Sequence, residues 1–323
     1  MERELRIAII GAGSLSTKRI YPYIGSAGAR IVGCCDLNEA FAVRNASRFG
    51  GNAYKDYREM LEREQPDGVI VCIGPQQHYE LAIEVMKLGF PVYTEKPPAV
   101  SSRDAYEVAR VSAETGVLCS TAFKKRYNTA YSRAKEWLAQ FSPADLYSIS
   151  ADYASRQYEN HRDFLFDFTI HMIDLMHYLF GDVEKVFSFA KGKDAYAVSL
   201  KFTNGAVGSL NLNCGRSYNL PTEEVEISIK GGNFMTVHNS SCWKISENEK
   251  GVEWREPPTF ISAGDSGYDT GHLPELIDFV QAIREGRTTR SNIYESYKSM
   301  VLYEGIRDSA ASGEVVQLKY ETL

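Results

Sequence analysis

Three groups of residues in this sequence have the types and spacing that chemistry requires. The first is Glu95-Lys96-Pro97, a lysine set between an acid and a proline directly after the apolar run Val92-Tyr93-Thr94. A lysine at a strand's carboxyl end is poorly placed for a solvated surface role, and Lys96-Pro97 is a candidate for a cis bond. The second is Asp167, His171 and Asp174, at i, i+4 and i+7, which near a helix start share one face. An imidazole beside carboxylates is a candidate general acid or base, because the acid orients the ring and stabilises its charged form. The competing readings are a plain helix-terminal acid with an i,i+4 pair and a metal site that adds His177. The third group is Gly11-Ala12-Gly13-Ser14-Leu15-Ser16, directly after the run Ile7-Ala8-Ile9-Ile10.

Glycines between a strand and a helix permit a tight turn and let backbone amides approach a pyrophosphate at the helix start. Ser16 stands where such fingerprints usually carry a third glycine, which would set helix and strand slightly further apart. Asp36 follows Gly11 by 25 residues, near the distance expected for an acid that accepts hydrogen bonds from an adenosine ribose. A carboxylate there repels a 2′-phosphate and Leu37-Asn38 adds no arginine, which favours NAD over NADP. The bland alternative is a strand-end acid capping the helix near Glu39. A further turn, Ile73-Gly74-Pro75, leads to His78 at a helix start, a position more often filled by a capping or packing residue than by a catalyst.

These groups need elements to hold them. Residues 1–121 alternate short apolar runs with helical patterns, the signature of a parallel sheet wound by helices on both faces. Strands are expected at 5–10, 29–35, 68–73, 91–94 and 117–121, with helices near 17–26, 39–49, 76–88 and 101–115. Residues 122–323 change to longer alternating strands at 146–153, 185–189, 195–202, 206–213, 225–230 and 233–238. Turn signals between them imply antiparallel hairpins in an open sheet. Helices are expected at about 168–180, 273–285 and 293–312. The fold class is therefore α/β, a doubly wound Rossmann domain at 1–121 followed by an α+β domain at 122–323, whose last helix is a candidate to pack back on the first.

The bulk properties narrow the function. The 323 residues carry 36 Lys and Arg against 42 Asp and Glu, a net charge of −6, so no basic footprint for nucleic acid or an anionic membrane is visible. Six cysteines without a CxxC pair read as core thiols in a reducing compartment, with no zinc or other metal site expected. The N-terminus lacks the long apolar run of an export signal, which makes a cytoplasmic location the expectation.

Taken in order, the Gly11-Ala12-Gly13 turn, Asp36, the Gly74-Pro75 to His78 stretch, Glu95-Lys96-Pro97 and the Asp167 to His171 pair resemble the glucose-fructose oxidoreductase and inositol dehydrogenase family (Gfo/Idh/MocA). The resemblance implies NAD(P)-dependent oxidation or reduction of a secondary alcohol on a sugar or cyclitol, and homodimers or homotetramers through the second domain's sheet. It gives Lys96, His171 and Asp167 the catalytic roles, with the choice of Lys96 or His171 as formal base left open. Gly11, Gly13, Ser14, Leu15, Asp36, Ile73, Gly74, Pro75, His78, Glu95 and Lys96 would hold the cofactor. Substrate would meet Lys96, Asp167 and His171 together with Lys124, Arg126, Tyr153 and Arg156. Thr169, where the family often has glycine, and the segment 159–163 depart from its pattern in the part that shapes the pocket. A glycosidase using tightly held NAD, or a non-catalytic NAD or sugar sensor, would carry the same outline.

Overall fold

The computed structural model describes residues 3–157, 163–217, 222–256 and 267–323, and these divide into two compact units. The first unit comprises residues 1–124, 271–297 and 323. Its sheet is built from β1 (Leu5–Ile10), β2 (Ala29–Cys35), β3 (Asn52–Tyr54), β4 (Gly68–Val71), β5 (Val92–Thr94) and β6 (Cys119–Thr121). All neighbours pair in parallel, in the order β3-β2-β1-β4-β5-β6. That order reverses beside β1, so the turns leaving β1, β2 and β4 share one edge of the sheet, where ligands of such folds bind. The strands read as continuous apolar runs because helices cover both faces.

Those helices are α1 (Ser14–Arg19), α2 (Glu39–Phe49), α3 (Tyr57–Glu64), α4 (His78–Lys87) and α5 (Ser102–Thr115). Side chains at their starts accept the first free amides: Asn38 caps α2, Asp56 caps α3 and Ser101 caps α5. The helix expected at 17–26 is instead the short α1, beginning at once after Gly13, and a separate 3-10 turn at Tyr21–Tyr23. Pro22 has no amide to continue α1. Neither β3 nor α3 was expected; α3 buries only Met60 and Leu61 and is otherwise charged or polar, so its apolar period is faint.

The second unit comprises residues 125–270 and 298–322. After α6 (Thr129–Leu138) it contains β7 (Leu146–Ala154), α7 (Phe164–Asp167), α8 (Ile170–Phe180), β8 (Val183–Lys191), β9 (Ala195–Phe202), β10 (Val207–Asn213), β11 (Thr222–Ile229), β12 (Asn233–His238), β13 (Cys242–Glu247) and β14 (Lys250–Arg255). The chain then supplies α9 (His272–Glu285) to the first unit, runs through α10 (Ile293–Ser312) and ends with β15 (Val316–Gln317). The nine strands take the order β14-β13-β12-β11-β7-β10-β9-β8-β15. Successive hairpins account for most of this, but β10 pairs in parallel with β7 and β11 pairs antiparallel with its other edge. The helical passage between β7 and β8 makes that parallel neighbour possible. The expected single cut near residue 122 thus meets a chain that returns residues 271–297 to the first unit.

Candidate functional site

In the first unit the glycine turn leaves β1 against the end of β4. A Cβ on Gly11, whose φ is +107°, would stand 2.1 Å from the Cys72 carbonyl oxygen, so only glycine fits. Gly13 caps α1 and a Cβ there would meet nothing within 4 Å, which leaves open space beside its backbone. Between them Ala12 is held on both sides. Its amide donates to Asp36 Oδ2 at 2.7 Å, while its carbonyl accepts from Arg44 Nη2 at 2.9 Å and from Thr17 Oγ1 at 3.3 Å. Asp36 also accepts from the Asn38 amide at 2.8 Å, which fixes the carboxylate and leaves its remaining lone pairs for a diol. Ser16 is buried under the turn with its hydroxyl on the Gly13 carbonyl, so the missing third glycine is replaced by a packed serine. This cradle fits a dinucleotide: close backbone approach at Gly11, exposed Ser14 and Leu15, and an immobilised acid at the end of β2.

Ile73, Gly74 and Pro75 continue β4 into a 3-10 turn beside this edge. His78 is fully buried, and its Nδ1 lies 2.7 Å from the Pro97 carbonyl, an oxygen that must accept. That contact of His78 ties α4 to the turn after β5. Burial also pushes its pKa down, which keeps the ring neutral. The Lys96-Pro97 bond is cis. Lys96 is half-buried and its backbone amide donates to Glu95 Oε2 at 3.2 Å. Burial pushes the Glu95 carboxyl up, and the Lys96 and Lys124 charges oppose that shift.

Sequence reasoning missed what lies behind this turn. Glu275 of α9 is 2% exposed, and its Oε2 is buried with no hydrogen-bond partner among the described residues. Burial and the Glu95 charge push its carboxyl well above the usual range, against the pull of Tyr93 and Lys124. His272, one turn earlier, is pushed down to about 2 by burial, with the Lys124 and Arg19 charges adding to the effect. A glutamate in an amphipathic helix carries no signal of such burial; only its place one turn before the core residue Phe279 hints at it.

In the second unit the helix expected at 168–180 is found as α8. Asp167 ends the short α7 that precedes it, while His171 is the second residue of α8, so acid and imidazole sit on two helical segments separated by Phe168 and Thr169. Asp163 caps α7 at the Phe166 amide, and the buried Thr169 closes the break by donating to the Leu165 carbonyl at 2.8 Å. His171 is 8% exposed. Asp174 does not serve it: its oxygens receive Arg126 Nη2 at 2.7 Å, Arg126 Nε at 3.0 Å and Ser299 Oγ at 2.7 Å. Arg126 is 1% exposed, with its charge paired to Asp174. Tyr153 is likewise packed, its ring stacked on Phe168 at 4.5 Å. Arg156 is exposed, and residues 159–162 lie outside the described residues. Among the described residues no three His, Cys, Asp or Glu side chains gather as metal ligands.

Comparison with known proteins places both units. Residues 5–123 match the Gfo/Idh/MocA model for an oxidoreductase family with an NAD-binding Rossmann fold, and residues 155–318 match the model for that family's C-terminal alpha/beta domain. The chain belongs to the Gfo/Idh/MocA oxidoreductase family. Among curated relatives it is 27% identical to inositol 2-dehydrogenase of Paracoccus denitrificans, covering 98% of this chain and 97% of that one. It is 26% identical to 4-carboxy-2-hydroxymuconate-6-semialdehyde dehydrogenase of a Sphingobium species, covering 90% and 93%. Its fold matches levoglucosan dehydrogenase in complex with NADH and L-sorbose, with a TM-score of 0.87 at 19% identity over 99% and 100% of the two chains.

As a Gfo/Idh/MocA protein the chain is an oxidoreductase with an NAD-binding Rossmann domain. No helix among the described residues is long and apolar enough to cross a membrane.

Proposed function

We propose that this enzyme transfers a hydride between NAD(H) and a secondary alcohol or ketone of a sugar, sugar derivative or cyclitol. The observation that carries the cofactor choice is the Asp36 carboxylate held by the Ala12 and Asn38 amides at the end of β2. A fixed anion there accepts a ribose diol and repels a 2′-phosphate. The substrate class rests on the inositol and levoglucosan dehydrogenases among its relatives and neighbours.

When bound, the nicotinamide supplies the hydride acceptor or donor. The protein's residues handle the rest: Lys96 stabilises the developing alkoxide, His171 takes the hydroxyl proton, and Asp167 binds a neighbouring hydroxyl or orients the pair. Glu95, backed by the ties of His78 to Pro97, holds the lysine turn. The half-buried Lys124 and the exposed Arg156 are the remaining substrate contacts.

A panel of inositols, hexoses, anhydrosugars and sugar acids followed at the nicotinamide absorbance, with NAD and NADP side by side, tests this. Turnover with NAD at least roughly tenfold faster than with NADP is expected. Silence across the panel with both cofactors, or preference for NADP, would overturn the assignment.

A further inference from the structure

Lys125 and Arg126 follow one another in the 3-10 turn Lys124–Tyr127, and both are buried. Arg126 reaches the downstream helix through its paired contacts to Asp174 of α8. Lys125 reaches the break itself through a stack of rings. Its Nζ lies 2.5 Å from Glu223 and 4.9 Å from the centroid of the Tyr153 ring. That ring stacks on Phe168, centroids 4.5 Å apart and planes within 8°, and Phe168 stacks in turn on Phe164 at 5.7 Å. Phe168 is the residue at which α7 ends, between Asp167 and His171.

The cation is fixed with little freedom. Glu223 Oε1 also accepts from the Tyr131 hydroxyl at 2.7 Å and from Ser240 at 2.5 Å, and Lys125 Nζ donates to Ser240 at 3.3 Å. A buried pair whose lone pairs are this fully used is costly to rearrange and defines one geometry. A stack of rings anchored by such a pair transmits that geometry to the backbone at Phe168.

We propose that Lys125-Arg126 is a positioning pair that sets the helical break, and through it the placement of Asp167 relative to His171. The proposal deepens the assignment of His171 as acid/base residue and rests on it. It assigns Tyr153 a purpose in place of substrate contact: to carry the position of Lys125 to Phe168.

The test uses the full-length enzyme. For Lys125→Met, kcat on the fastest panel substrate falls at least roughly tenfold, while the dissociation constant for NADH, read by fluorescence titration, stays within about twofold. The titration midpoint of the His171 imidazole, followed by NMR and identified with His171→Asn, moves. Lys125→Arg, which keeps a cation for Glu223 and Tyr153, recovers most of the rate and the midpoint. Should Lys125→Met fail to fold, Tyr153→Leu leaves the ion pair in place and is held to the same readouts. A folded variant of either kind with unchanged kcat and an unchanged His171 midpoint overturns the proposal. Full turnover by His171→Ala would instead overturn the acid/base assignment, a separable result.

Discussion

Two single residues have effects that follow from where their atoms lie. An alanine at Gly11 would carry its Cβ into the Cys72 carbonyl in a backbone conformation side chains rarely adopt. Gly11→Ala is expected to cost about 3 kcal/mol or more and to abolish NADH binding, measured by thermal unfolding and fluorescence titration. Glu275 acts in the opposite sense. A carboxyl whose pKa is raised by folding stays protonated in the native state while the unfolded chain releases its proton above the ordinary carboxylate range. Native stability therefore falls as pH rises from there toward the raised native value. Glu275→Gln removes the titration and keeps the shape, so the variant should melt higher than the parent at pH 8, by about 1–3 kcal/mol, and gain little near pH 4.5. An equal gain at both pH values would show that the burial of this charge is not the cause. The glycine turn and the acid at the end of β2 were legible in the sequence because each is a residue type tied to a local pattern. Glu275, Lys125 and the pairing of Arg126 with Asp174 were not, since a charged side chain looks the same in sequence whether it faces water or a buried partner.

At the scale of elements, caps and breaks decided what could be read. Helix α10 matches the expected residues, and β9 and β12 match theirs. Helix α6 was not expected, although Ala130, Tyr131, Ala134, Trp137 and Leu138 form an apolar stripe and Asn128 caps it. Strands β13 and β14 were missed because their hairpin turns on Asn248 and Glu249, both at positive φ, without the glycine that usually marks such a turn. The break at Phe168 was invisible, because the i, i+4, i+7 spacing of Asp167, His171 and Asp174 fits an unbroken helix equally well. The buried Arg126–Asp174 pair gives this region a sharp stability signature. Asp174→Asn strands the arginine and should cost about 3–5 kcal/mol in urea unfolding, while Arg126→Met with Asp174→Leu should recover most of the loss. Additive losses in the double variant would show that the pair is not the source.

At the scale of the molecule, the nine-stranded sheet leaves a face with small and polar side chains. Ser209 lies opposite Ser199 on one neighbour and Ser150 on the other, with Val207 exposed on the same strand and Phe189 exposed on β8. An exposed face that carries small and apolar side chains among polar ones suits packing against a second copy, and we propose a dimer or tetramer through it. Ser209→Arg should lower the mass measured by light scattering on a sizing column; an unchanged oligomer would place the contact elsewhere.

The return of α9 to the first unit has a consequence for how the protein is made. Leu276, Phe279 and Val280 lie in one buried cluster with Ile7, Ile9 and Tyr93, so the nucleotide-binding core, whose sheet begins at Leu5, is closed by residues synthesised only from position 276 onward. While the ribosome is still producing the second unit, that apolar cluster lacks three of its members. The nascent chain must therefore carry an unfinished first core through most of its translation, although all six strands of that unit's sheet are made before β7 begins.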